Sequence, residues 1–160
     1  MFGFKKRNAE HELEAPAKGN VVALADTKDP VFSKGIMGKG FGLEPTEGTI
    51  YAPISGKVTV VADTKHAVGI QTPNGLEVLL HLGIDTVELK GAGFDMNVKV
   101  GQKVKAKDKV GTMDLQKIKD KDYQTTILTV ITNLSDKDVD LDLTTGKSEA
   151  GQPVAEIKQN

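Results

Sequence analysis

The sequence predicts an all-β fold, an antiparallel β-sandwich or barrel-like domain with little helix. Three observations carry this expectation. Short β-branched and apolar runs recur between glycine, proline, Asp and Asn. Seventeen glycines in 160 residues exceed the roughly 7% of an average chain and suit many tight turns. No long stretch places apolar residues at helical spacing.

Taken in order, the expected strands fall at 21–24, 49–51, 57–61, 67–72, 76–84, 98–100, 125–131, 139–143 and 153–157. A helix is expected only at 115–122, too short to shape the architecture. Residues 1–18 read as a flexible N-terminal tail, because they mix charge with little periodic apolar pattern. Phe2 and Phe4 beside Lys5, Lys6 and Arg7 are the part of that tail that could touch an anionic membrane surface. Residues 19–160 then form one domain, and a chain of this length can bury about two thirds of its unfolded surface.

Composition narrows the function. With 21 basic and 22 acidic residues the net charge is −1, which gives no footing for nucleic acid. The absence of cysteine excludes disulfides, thiolate metal sites and thiol nucleophiles within these residues. No apolar run approaches the ~18 residues of a membrane span and no signal region follows the basic N-terminus, so a cytoplasmic location without an integral membrane segment is expected.

The histidines carry the chemistry. In Leu76-Glu77-Val78-Leu79-Leu80-His81-Leu82-Gly83-Ile84 the even positions form an unbroken apolar face. His81 shares the opposite, solvent-facing side with Glu77, Leu79, Gly83 and Asp85. The preceding strand ends at Thr72-Pro73-Asn74-Gly75, a type I turn pattern. A two-residue loop would pair residues summing to 147 and set His66 opposite His81, whereas a bulge at Gly75 would shift the sum by one. Thr64 would join the same face as a hydroxyl donor to an anion. Neutral imidazole is a competent nucleophile near pH 7, so the group could hold a phosphohistidine; two unrelated surface histidines are the other reading of the spacing.

The segment from Gly75 to Val87, extended by Glu88-Leu89-Lys90-Gly91-Ala92-Gly93-Phe94, resembles the phosphorylation motif of glucose-type enzyme IIA domains of the sugar phosphotransferase system. Tyr51-Ala52-Pro53-Ile54-Ser55-Gly56, Asp29-Pro30-Val31-Phe32 and Gly101-Gln102-Lys103-Val104 extend the resemblance over about 16–157. The resemblance implies that His81 takes the phosphoryl group, supported by His66 and Thr64. It implies an apolar docking collar on Val31, Phe32, Ile36, Met37, Leu79 and Val87, with Asp29 and Asp85 as acidic groups near the site. Ala62 and Gly69 stand where relatives often carry an aromatic, so the collar is thinner there. The implied donor is the histidine phosphocarrier HPr and the implied acceptor a cysteine of a IIB domain of a sugar permease. No cofactor is required, and relatives also act on regulated enzymes or transporters. Zinc at His66 and His81 would be adventitious or shared with a partner. Two rival classes are a zinc hydrolase using His66, His81 and Asp85, and a biotinyl or lipoyl carrier suggested by the stretch from Val100 to Gly111.

Overall fold

The structure, a computed structural model, describes residues 11–134 and 139–159. Its strands are β1 (Glu12–Glu14), β2 (Gly19–Ala23), β3 (Lys39–Pro45), β4 (Thr49–Tyr51), β5 (Gly56–Val61), β6 (Ala67–Gln71) and β7 (Glu77–Ile84). They continue with β8 (Phe94–Met96), β9 (Lys103–Val104), β10 (Lys109–Met113), β11 (Gln124–Ile131), β12 (Val139–Leu143), β13 (Gly146–Ser148) and β14 (Pro153–Gln159). The one α-helix among the described residues, α1 (Leu115–Asp120), is capped by Asp114, whose carboxylate accepts the Lys117 N–H at 3.1 Å.

An eight-stranded antiparallel sheet runs β13-β2-β3-β11-β7-β6-β5-β9, and two three-stranded sheets run β1-β14-β12 and β4-β10-β8. None closes into a barrel. Val21, Phe41, Leu43, Val68, Ile70, Leu80 and Ile127 of the large sheet share one buried cluster with Leu13, Ala155 and Ile157 of one small sheet and Ile50, Val110 and Met113 of the other. The small sheets therefore cover the inner face of the large one, as sandwich layers must if alternating apolar residues are to leave water.

Four sequence expectations change. The stretch from Glu12 to Lys18, expected within a tail, is part of the folded body: β1 pairs with β14, and Leu13, Ala15 and Ala17 are fully buried. Two of these alternating residues are alanines, weak strand formers with little apolar surface, so the period of 2 was easily overlooked. Phe2 and Phe4 lie outside the described residues. No strand forms at 98–100; a turn closes there as Gln102 N–H donates to the Lys99 carbonyl at 3.1 Å, and pairing begins at Lys103. The helix ends two residues early, at Asp120. Strands β3, β8, β10 and β13 fall outside the expected runs; in β3, glycines occupy alternate positions around Phe41 and Leu43. At Gly42 a Cβ would sit 2.5 Å from the Thr27 side chain, so the bare backbone is what lets residues 24–37 lie on the outer face of the large sheet.

Candidate functional site

Strand β7 turns Val78, Leu80 and Leu82 inward and leaves Glu77, Leu79 and His81 on the outer face. His81 sits there half-buried, facing Leu128 of β11 on one side and Ala67 of β6 on the other. Its Nδ1 lies 2.7 Å from the Gly83 carbonyl oxygen. A carbonyl only accepts, so Nδ1 carries the proton, and in the neutral ring the lone pair is on Nε2. The ring is flanked by Phe32, with centroids 5.3 Å apart, and by the edge-on ring of His66 at 5.1 Å.

His66 reaches this position by a different route from the expected pairing. The β6–β7 loop has three residues, not two: Gly75 N–H donates to the Thr72 carbonyl at 2.9 Å, Thr72 N–H donates to the Leu76 carbonyl at 2.9 Å, and Gly75 is left-handed at φ 90°. The bulge makes pairs sum to 148, and Ala67 faces His81. His66 lies just before β6, in a turn where Lys65 takes φ 61° and donates its N–H to the Ala62 carbonyl at 2.8 Å. The His66 carbonyl accepts the Leu82 N–H at 2.7 Å, fixing its backbone to β7. Thr64 Oγ1 is 2.5 Å from His66 Nδ1.

Both imidazoles are held below the ordinary histidine pKa of 6.5. For His66 burial is the main cause, followed by the neighbouring His81. For His81 burial dominates, opposed by the Gly83 carbonyl and by the charges of Asp29 and Asp85. Burial therefore favours the neutral, nucleophilic form at pH 7.

Val31, Ile36, Met37 and Val87 are exposed apolar side chains, while Leu79 and Phe32, the latter against the His81 ring, pack into a second small cluster with Leu24, Ile84, Leu128 and Val130. Asp29 is buried rather than on the rim: its Oδ1 accepts the N–H groups of Val31 at 2.9 Å and Phe32 at 3.0 Å, holding Phe32 against His81. Asp85 is exposed and left-handed at φ 61°. Sequence reasoning missed the Gly83 carbonyl, for which a side-chain pattern carries no signal. It also missed Val60, half-exposed and leaning over Gly69, whose Cβ would lie 3.2 Å from that of Val60. Alternation along 57–61 could have shown Val60, had a bulge between Val58 and Val60 not broken it.

Neither rival site is assembled. Among the described residues no three His, Cys, Asp or Glu side chains come together to hold a metal, so His66, His81 and Asp85 do not form a zinc set. Met113 ends β10 in the core and Asp114 caps α1, in place of a lysine at a hairpin tip.

Residues 11–137 match the family model described as phosphoenolpyruvate-dependent sugar phosphotransferase system, EIIA 1. The chain belongs to this EIIA family. An EIIA domain is a phosphotransferase component, a phosphoryl carrier in sugar uptake. The glucose permease IIA from Mycoplasma capricolum superposes with a TM-score of 0.85 at 37% identity, covering 97% of this chain and 98% of that one. The glucose-specific EIIA component of Bacillus cereus is 39% identical over 133 residues, 83% of this chain and 81% of the relative. A beta-glucoside-specific EIIBCA component of Bacillus subtilis is 45% identical over 121 residues, 76% of this chain but 20% of that longer protein.

Proposed function

We propose that His81 of this EIIA domain carries the phosphoryl group on Nε2, receiving it from phospho-HPr and passing it to a cysteine of a IIB domain. The carrying observation is the Nδ1–H bond to the Gly83 carbonyl, which leaves the lone pair on Nε2 of a half-buried ring on the outer face of the large sheet. In loading, the Nε2 lone pair forms the new N–P bond while the N–P bond of the donor breaks and its electron pair returns to the donor imidazole. With Nδ1–H kept on the carbonyl, the phosphorylated ring is positively charged, a charge that Asp29 and Asp85 favour. When a thiolate attacks phosphorus, the pair returns to Nε2 and His81 leaves neutral.

His66 supports the phosphoryl oxygens. Thr64 Oγ1 is within hydrogen-bond distance of His66 Nδ1; with the hydroxyl as donor, the ring proton is on Nε2, where it can bond to the new anion. The exposed Val31, Ile36, Met37, Val60 and Val87 exclude water when a partner docks. No cysteine occurs in these 160 residues, so the acceptor thiol lies elsewhere, and relatives named EIIBCA and EIICBA support a permease as its owner. Both transfers would take place in the cytoplasm; no described helix is long and apolar enough to cross a membrane. Incubation with phosphoenolpyruvate, enzyme I and HPr, read by intact mass, should add one acid-labile phosphoryl group. No mass gain with an active donor system would refute the reading.

A further inference from the structure

The outer face of the large sheet carries a second charged feature, away from His81. The register sets Lys57 of β5 directly opposite Lys103 of β9 on one side and Gln71 of β6 on the other, and Gln71 faces Glu77 of β7. Directly opposed residues have Cβ atoms ~5 Å apart, so two ammonium-bearing side chains rise together. Val104 is buried, so Lys103 and Lys105 on either side of it lie on the same outer face. All three lysines are exposed and line one groove of about 900 Å³.

Like charges directly opposed across two strands destabilise the pair unless something neutralises them. None of these lysines forms an ion pair among the described residues. Glu77 accepts a hydrogen bond from Gln71 Nε2 at 3.2 Å and stands two strand spacings, ~10 Å, from Lys57. Asp108, the carboxylate lining the groove, has Oδ2 bonded to the Lys105 backbone N–H at 2.9 Å. Three positive charges thus face one negative charge. Lysines on an edge strand also deter unwanted strand pairing, but Lys103 on β9 and Lys105 just after it meet that need, and Lys57 on the next strand inward is not required for it.

We propose that this groove binds a small polyanion bearing two or more phosphate or carboxylate groups, gripped between Lys57 and Lys103 with Lys105 beside them. Such a ligand turns a repelling pair into a clamp, and lysine suits it as a mobile point charge. Glu77 is four residues, ~13 Å, from His81 along β7, and β5 is two strands further over, so the groove is separate from the histidines and independent of the phosphoryl-transfer reading.

The test is an amide NMR titration of the full chain with pyrophosphate and, in parallel, with malonate. Saturable shifts should centre on Lys57, Lys103 and Lys105; Lys57→Gln and Lys103→Gln should each weaken binding about fivefold, while Lys57→Arg retains it. Lys57→Gln should also melt at a higher temperature than the parent, because the opposed charges are relieved. Tighter pyrophosphate binding assigns phosphate chemistry, and tighter malonate binding assigns carboxylate chemistry. Absence of saturation, equal shifts at Lys117 and Lys119 of α1, or unchanged affinity in Lys57→Gln would overturn the proposal.

Discussion

The Nδ1 of His81 is bound to the carbonyl oxygen of Gly83, two residues further along the same strand, at 2.7 Å. Because the acceptor is main chain, the tautomer of His81 is set by backbone geometry and not by any side chain that could titrate. Gly83 is left-handed, at φ 83°, and the Thr86 hydroxyl donates to the Leu82 carbonyl at 2.5 Å beside it. The His81 ring is thus oriented by the local twist of β7.

Substituting Gly83 by alanine tests this arrangement. The new Cβ would clash with Thr86 Cγ2 and meet the Gln124 carbonyl at 2.9 Å, in a conformation that L-residues disfavour. Together these cost about 2–4 kcal/mol and shift the carbonyl. Chemical denaturation should show the loss, and imidazole ¹⁵N shifts of His81 should move toward a mixture of tautomers.

The roles proposed for the two histidines can be separated by substitution. His81→Gln removes the attacking nitrogen, so loading from phospho-HPr should vanish. In His66→Gln an N–H donor remains, so loading should persist while transfer to IIB slows by about tenfold or more, since an amide cannot change protonation as the group departs. Thr64→Val removes the hydroxyl that orients His66 and should give a milder form of the same defect. Loading lost in His66→Gln but kept in His81→Gln would invert the assignment.

The N-terminal segment offers a test of the fold. Leu13 is completely buried in β1 and belongs to the main core, so Leu13→Ala should cost about 2–4 kcal/mol. Glu14 is nearly buried too, and its carboxylate lies 3.3 Å from Lys107 Nζ. Lys107→Gln should cost about 1–2 kcal/mol, because the carboxylate keeps its burial and loses its counter-charge. Urea midpoints measure both; a neutral Leu13→Ala would mean that the segment contributes nothing.

What the sequence made legible follows from which interactions have a period. Alternation in 76–84 places His81 on the outer face because β7 is regular up to that residue. The location of His66 depends on two left-handed residues, Gly75 and Lys65. Glycine at 75 announces the possibility of a bulge, but a lysine at φ 61° announces nothing, and the pairing sum of 148 followed from geometry that side-chain pattern does not encode. Strand β3 was hidden for the opposite reason: its outward glycines are chosen for close approach, which erases the contrast on which alternation depends. The buried role of Asp29 was equally silent, since a carboxylate that caps two backbone N–H groups looks in sequence like one that faces solvent.

The final prediction concerns pH. His66 and His81 both have folded pKa values below their unfolded value of about 6.5, so between the two the unfolded chain binds more protons. Stability from the neutral imidazoles is therefore fully present above pH ~6.5 and is lost as pH falls through the lowered folded values. Melting temperature should be nearly flat from pH 8 to about 6.5 and decline below it, and replacing both histidines with glutamine should flatten that decline. Loading should follow the same direction, because protonation of Nε2 removes the lone pair, but its fall should begin at a pH below that of free histidine. Phosphorylation should act oppositely on His66: a dianionic group placed beside it favours the imidazolium and raises its pKa. Ring-proton NMR titration of the free and phosphorylated protein reads both shifts, and a His66 pKa unchanged on phosphorylation would mean that its ring does not contact the phosphoryl group.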